Sequence, residues 1–244
     1  MAHLHHTFQF CPESAACEQI QPGRKLVCSV DAGWKSLLIR SFESPGTVET
    51  FETKPSPDQF VVLVAKGTVE LDCFSNGLWR RASYRPGVGG LTAGFNSNRL
   101  RWRSIRASLF ETIHIHIPHE LLTAVEEEHQ RCGYAFRQES PDTLVFADPV
   151  IYELALSLKE AVRLGAPDLY AESAAQFLAV RLLSVQSPWG TPPLQLKGAG
   201  IADRRLKRVL EFMQSEYMNP LTLDQLGKEA GVSRFHFVRL FKEK

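Results

Sequence analysis

From about Arg24 to Pro118, apolar and polar residues alternate in short runs separated by Gly, Pro and Asn turn signals. The runs are 36–42, 48–53, 59–65, 68–74, 78–84, 99–105 and 109–117, and the Gly-rich stretch 85–90 reads as a corner between two of them. A period of two between such turns predicts half-buried strands, and seven or eight at this spacing predict an antiparallel sandwich or small barrel. After Pro118 the period changes to 3.6. It predicts helices over 119–131, 149–164 and 168–186, the last two joined at 165–167 with Asp168 positioned to cap the second. Ile151, Leu154, Ala155, Leu158 and Val162 would face Ala175, Leu178, Leu182 and Val185 in an antiparallel pair lying against the barrel. The stretch 187–200 has three prolines and three glycines and reads as a linker. A helix over 203–217 then leads to Asn219-Pro220.

The residues from Leu221 to Lys244 read as helix, tight turn, helix. Leu223, Leu226 and Ala230 share one face of the first helix. Gly231 frees the backbone to leave it, Val232 plugs the corner, and Ser233 is suited to N-cap the second. In that second helix Phe237, Leu240 and Phe241 form an apolar seam. Ser233, Arg234, Phe235, Val238, Arg239 and Lys242 make an outward basic and aromatic face that fits a DNA major groove.

The register from Leu206 to Phe241 resembles the first half of the AraC-type DNA-binding domain. Leu223, Leu226, Ala230, Gly231, Ser233, His236, Phe237, Arg239, Phe241 and Lys242 stand where that family's pattern wants them. Gly227 departs from it, standing where the family usually carries Ala, at a helix-propensity cost of roughly 1 kcal/mol. The family's domain holds two helix-turn-helix units, whereas the match here ends after the first. The expectation is therefore a partial reader that binds DNA weakly, since binding sums many phosphate and base contacts. The strand order is similar to a cupin-like jelly roll, the usual sensor barrel of AraC-type regulators. The resemblance implies mixed α and β architecture in two domains. Residues 1–187 would form the sensor barrel with a helical dimerisation region, 188–200 the linker, and 201–244 the first half of the helix-turn-helix domain.

Composition changes this picture little. Of the 244 residues 44% are hydrophobic and 23% charged, ordinary for a globular protein. No apolar run reaches the ~18 residues a membrane span needs, and the N-terminus lacks a signal-peptide core. The five cysteines (Cys11, Cys17, Cys28, Cys73 and Cys132) contain no Cys-x-x-Cys pair, which fits a reduced cytoplasm. Charge is more telling when divided. Residues 201–244 carry nine Lys/Arg against six Asp/Glu, while the remainder is slightly acidic, consistent with a DNA-facing end on a neutral body.

The sharpest enzyme-like feature is His114-x-His116 followed by Glu120, which imitates the metal motif of catalytic cupins. Pro118 ends the strand before Glu120, the motif's later glycine is missing, and the stretch lies at the wrong end of the barrel. Ile113, Ile115 and Ile117 would point inward, with Thr112, His114 and His116 on a partly exposed face. No metal, cofactor or catalytic residue is expected. The 87–90 glycines open no helix and so form no phosphate loop. Trp34, Phe42, Phe51, Phe60, Trp79 and Trp102 lie on strands or strand edges and are the candidates for an effector pocket. Arg101 and Arg103 could pair with an acidic effector. The leading expectation is a cytoplasmic, homodimeric, non-enzymatic transcription regulator that binds DNA and is controlled by a small molecule in its barrel. The alternatives are a sensing and dimerisation module without DNA binding, and a metal-dependent cupin enzyme.

Overall fold

Among the described residues, ten strands, a helical layer and a short N-terminal plug belong to the larger of two compact units, Met1–Thr191 and Pro192–Lys244. The computed structural model describes residues 8–75, 77–105, 109–131, 142–186, 209, 212–213 and 221–232. Its strands are β1 (Arg24–Cys28), β2 (Leu38–Pro45), β3 (Thr47–Glu52), β4 (Gln59–Lys66), β5 (Val69–Ser75), β6 (Leu78–Tyr84), β7 (Val88–Thr92), β8 (Arg99–Ser104), β9 (Leu109–Ile117) and β10 (Thr143–Ala147). One sheet runs β1-β2-β9-β4-β7-β10 and the other β3-β8-β5-β6, with the named pairs all antiparallel. From β2 to β9 consecutive strands switch sheets except at the β5–β6 hairpin, which is the interleaving of a jelly roll. Sequence periodicity anticipated seven of these strands. It missed β1, β7 and β10, and β7 runs through part of the predicted corner.

The helices α2 (His119–Arg131), α3 (Pro149–Arg163) and α4 (Asp168–Gln186) lie on the larger sheet. Ile113, Ile115 and Ile117 of β9 pack under them with Val61, Leu63, Ile151, Leu158 and Leu178, all at 0% exposure. Full burial of such a side chain stabilises by about 1.5–3 kcal/mol, so this layer dominates the core. Asp148 caps α3, accepting from the amides of Val150 (2.9 Å) and Ile151 (3.1 Å), and its other oxygen accepts from Arg181 Nε of α4 at 3.0 Å. Asp168 turns its carboxylate away to the β1–β2 connection. There it accepts from the Lys35 and Ser36 amides (2.8 and 3.1 Å) and the Ser36 hydroxyl (2.8 Å). A buried carboxylate, Glu111, ties α3 to β9 through Lys159 and accepts from Ser41 Oγ at 2.8 Å. Burial alone would raise its pKa, but the bonds from Lys159 and Ser41 and the charges of Lys159 and Lys66 outweigh that and hold it below the usual range.

The β9 alternation is present, yet its two faces are not the expected ones. The isoleucine face lies under the helices, and Thr112, His114 and His116 point between the two sheets. His114 and His116 are 8% and 5% exposed, so neither is the partly exposed residue that the alternation suggested. A strand at the centre of a sheet covered on both sides buries both of its faces, and alternation then separates two chemistries rather than core from water. Burial pushes both imidazoles down to about 3, helped by the Arg40 guanidinium and, for His116, first by His114. They are neutral at pH 7.

The N-terminal α1 (Pro12–Ala16) and the 3-10 turn Cys17–Ile20 dock on the barrel through buried polar groups. Asp58 Oδ2 accepts from the Cys11 amide (2.7 Å) and Ser14 Oγ (2.6 Å), and Oδ1 accepts from the His119 amide (3.2 Å). Arg40 donates to the carbonyls of Ser14 and Ala15 and pairs with Glu18 at 3.3 Å. No helix among the described residues is long and apolar enough to cross a membrane.

Candidate functional site

Between the two sheets lies a cavity of about 820 Å³. Phe51, Phe60, Leu71, Trp102 and Phe110 give it apolar walls. The Trp102 ring stands edge-on to Phe51 (5.8 Å) and Phe110 (6.1 Å), fixed by its Nε1–H to the Pro45 carbonyl at 3.0 Å. A polar strip crosses this lining. His114 Nε2 meets Thr112 Oγ1 at 3.0 Å, Asn98 Nδ2 donates to Thr92 Oγ1 at 3.0 Å, and Cys73 Sγ lies 3.5 Å from Asn98 Oδ1. Burial and the Asp142 carboxylate push the Cys73 thiol up, against the nearby Arg80, so it is a neutral wall group. Tyr84 donates its hydroxyl to the Leu144 carbonyl, clipping β6 to β10, and burial raises its pKa. A large, mostly apolar space with a few placed polar groups suits a small organic ligand.

Three of the six aromatic candidates, Phe51, Phe60 and Trp102, line this cavity; Trp34, Phe42 and Trp79 do not. Trp34 belongs to the helical side, its Nε1 donating to the Ala166 carbonyl at 2.7 Å. Phe42 is buried against the His114 ring, 4.9 Å between centroids. Trp79 sits on the outside of the smaller sheet under the Arg101 guanidinium, 4.3 Å from the ring centre. Arg101 is also committed to Asp72 (2.9 Å), which Arg81 shares at 2.8 Å, so it is not held open for an acidic effector. The Arg81 and Arg101 bonds outweigh burial and hold the Asp72 carboxyl down at about 2. His114, Cys73, Phe110 and Asn98 were missed as cavity residues. Phe110, Thr112 and His114 share one face of β9, and that spacing was the available signal. His114 and His116 point between the sheets while Glu120 is exposed on α2. Among the described residues no three His, Cys, Asp or Glu side chains converge as a metal site.

In the second unit, α5 (Leu223–Glu229) begins with a capping box. Thr222 Oγ1 accepts from the Gln225 amide at 3.3 Å, and the Gln225 side chain accepts from the Thr222 amide at 2.8 Å. Gly231 leaves the helix at φ +64°, the left-handed conformation that glycine tolerates best. Leu226 and Ala230 pack with Val209, and Phe212, Met213, Leu221 and Val232 close over them. Val232 packs on this cluster, while the second helix whose corner it was expected to plug lies outside the described residues. Ser233, Arg234, Phe235, Val238, Arg239 and Lys242, the candidate DNA-binding residues, lie outside the described residues, as do Cys132 and the 188–200 linker.

The sequence matches no protein-family model and no curated protein. Among solved structures the chain is similar to ToxT from Vibrio cholerae, at 14% identity over 85% of this chain and 94% of that one, with a TM-score of 0.44. An unsaturated fatty acid-bound form of ToxT gives 13% identity over 85% and 91%, with a TM-score of 0.40. A cupin domain of an XRE-family transcriptional regulator from Enterobacter cloacae matches 33% of this chain and 79% of its own, at 18% identity and a TM-score of 0.25. These likenesses are partial.

Proposed function

We propose that this chain is a transcription regulator of AraC type, in which a small molecule bound between the sheets controls a C-terminal DNA-binding unit. The supporting observation is the apolar-walled cavity with its polar strip, in a chain whose second unit carries a capped helix and a Gly231 turn ahead of the basic 233–242 segment. An effector controls DNA binding only by favouring one arrangement of the molecule over another. A barrel strand that borders the cavity and runs into the helical layer is suited to that. β10 does so, because it lines the cavity at Thr143–Val145 and is followed directly by Asp148, which holds both α3 and α4.

DNA is the proposed partner. Arg239→Ala should cost about 1–3 kcal/mol of DNA affinity and relax base preference, because a guanidinium on the outward face that the sequence pattern predicts can fork onto a guanine edge. Arg234→Ala, at the start of the helix that the sequence pattern predicts, should weaken all sequences alike and flatten the salt dependence. Anisotropy titrations against DNA selected from a random pool test both. Equal binding by wild type and Arg239→Ala sinks the DNA-reading assignment.

A second copy of the chain is the proposed partner of the helical layer. The outer side of α4 mixes polar residues, Ser173 and Gln176, with large apolar ones. Leu169, Tyr170 and Phe177 are exposed there, and with Val150 and Leu154 of α3 they border a groove of about 740 Å³. Phe177→Glu should convert a dimer to a monomer in light-scattering chromatography without lowering barrel stability. An unchanged mass would place the dimer contact elsewhere. A dimer that never binds DNA would favour the sensing and dimerisation module instead.

A further inference from the structure

The cavity between the sheets has an apolar end and a polar end. Along β5 its lining passes from Val69 and Leu71 to Cys73 and Ser75. The neighbouring strands change in the same direction. On β8 Trp102 stands opposite Leu71 and Leu100 opposite Cys73, with Asn98 just beyond. On β6 Tyr84 stands opposite Val69, Ala82 opposite Leu71 and Arg80 opposite Cys73. Arg80 is therefore an arginine on the inner face of a barrel strand, unlike Arg81 beside it, and it borders the cavity. Asp142, which leads into β10, borders the same space across the seam that Tyr84 closes onto Leu144. After burial, the influences on the Cys73 thiol are Asp142, which raises its pKa, and Arg80, which lowers it, so both charges reach the polar end.

Among the described residues these two are the Lys, Arg, Asp and Glu side chains that border the cavity, and His114 is neutral. Neither makes an ion pair there, although Asp142 accepts from the neutral amide of Asn96 at 2.6 Å. The arginines nearby are committed elsewhere, Arg99 to Glu52 (2.6 Å) and Arg81 and Arg101 to Asp72. Arg40, opposite His114 on β2, does not line the cavity and has Glu18 at 3.3 Å. An inward charge on an edge strand such as β6 can also keep other chains from pairing with that edge. That role would explain Arg80 but not the carboxylate that shares its cavity. A ligand bearing only a negative charge would meet Arg80 at the cost of facing Asp142, and one bearing only a positive charge the reverse. A ligand with both charges close together suits both residues. Arg80 and Asp142 are exposed, so the ionised head keeps part of its water while the apolar body is buried. We infer that the cavity takes a zwitterionic amphiphile of amino-acid type, its carboxylate toward Arg80, its ammonium toward Asp142 and a bulky apolar side chain among Leu71, Trp102 and Phe110. This deepens the proposed regulator and rests on the cavity being its effector site.

Four matched probes test it by calorimetry on the whole chain: tryptophan, indole-3-propanoate without the ammonium, tryptamine without the carboxylate, and tryptophol without either charge. Tryptophan should bind about fivefold more tightly than either singly charged probe, the scale of an ion pair at a solvent-facing rim. Arg80→Gln should remove the advantage of tryptophan over tryptamine and leave its advantage over indole-3-propanoate. Asp142→Asn should do the opposite. Loss of a merely structural contact would weaken all four probes alike, and that result overturns the assignment. Tightest binding by indole-3-propanoate would make the site one for anions, and tightest binding by tryptamine one for cations; either overturns the zwitterion. Tryptophol binding as well as tryptophan would mean that Arg80 and Asp142 neutralise each other, which overturns the head-group inference and leaves an effector cavity. Self-association of Arg80→Gln with the order of the probes unchanged would assign Arg80 to guarding the β6 edge, and overturns it too. Failure of all four to bind overturns the effector cavity along with it.

Discussion

Lowering the pH from 7 to 5 should cost the barrel about 4 kcal/mol of stability, divided equally between His114 and His116. Each imidazole takes up its proton at about 3 in the folded state, against an ordinary value of 6.5. The folded value is the depressed one, so the stabilising contribution is complete above 6.5 and is lost as pH falls from there toward 3. At pH 5 the unfolded chain holds nearly a full extra proton at each site, which is about 2 kcal/mol apiece. Carboxylates do not confuse this window. Asp72, held at about 2, and Glu111, held below its usual value, give up their stabilisation only when pH falls below the ordinary carboxylate range. Urea midpoints measured at pH 7, 6 and 5 at constant ionic strength should fall steadily, and His116→Phe should remove about half of the slope. A midpoint that does not move between pH 7 and pH 5 would mean that water reaches both rings, and that the strand face carrying them is not buried.

The same two histidines mark where sequence stops being informative. Alternation along β9 located the strand to the residue and separated Ile113, Ile115 and Ile117 from Thr112, His114 and His116. It could not say that helices cover the isoleucine side, because that depends on where α3 and α4 dock. A polar face on a period-two strand reads as solvent-facing, and here it is the inside of the barrel. The aromatic candidates divide for a similar reason. Phe51, Phe60 and Trp102 line the cavity, while Trp34 serves the helical side and Trp79 the outer surface. An aromatic on a strand announces burial or stacking, but not against which layer. The capping box was missed, although Thr222 and Gln225 stand at the right spacing before an apolar run. β1 and β10 are five-residue strands with weak alternation, and their places come from pairing with distant β2 and β7. β7 was hidden by its own glycines, which signal a turn locally but are required by what packs across them.

Gly89→Ala should therefore be the most damaging single substitution in the barrel, costing about 3 kcal/mol or more. Gly89 lies opposite Leu63 on β4 and Phe146 on β10. A Cβ built there would stand 1.8 Å from the Val62 carbonyl oxygen and 2.9 Å from the Leu63 Cα. Both neighbours are backbone, so no rotamer change relieves the clash and the β4–β7 ladder must open. The damage would not stay local. β10 hangs on β7, and through Asp148 it leads to the cap of α3 and to Arg181 of α4, so a displaced β7 loosens the cavity wall and the helical layer together. Gly77→Ala is the control. Its position has nothing within 4 Å of an added Cβ, but its φ of +78° is unfavourable for alanine, which should cost only about 1 kcal/mol. Denaturant unfolding of the two variants separates a loss of space from a loss of conformational freedom. If Gly89→Ala is no more destabilised than Gly77→Ala, β7 does not lie against β4 in this register, and the cavity wall it helps to form is wrongly drawn.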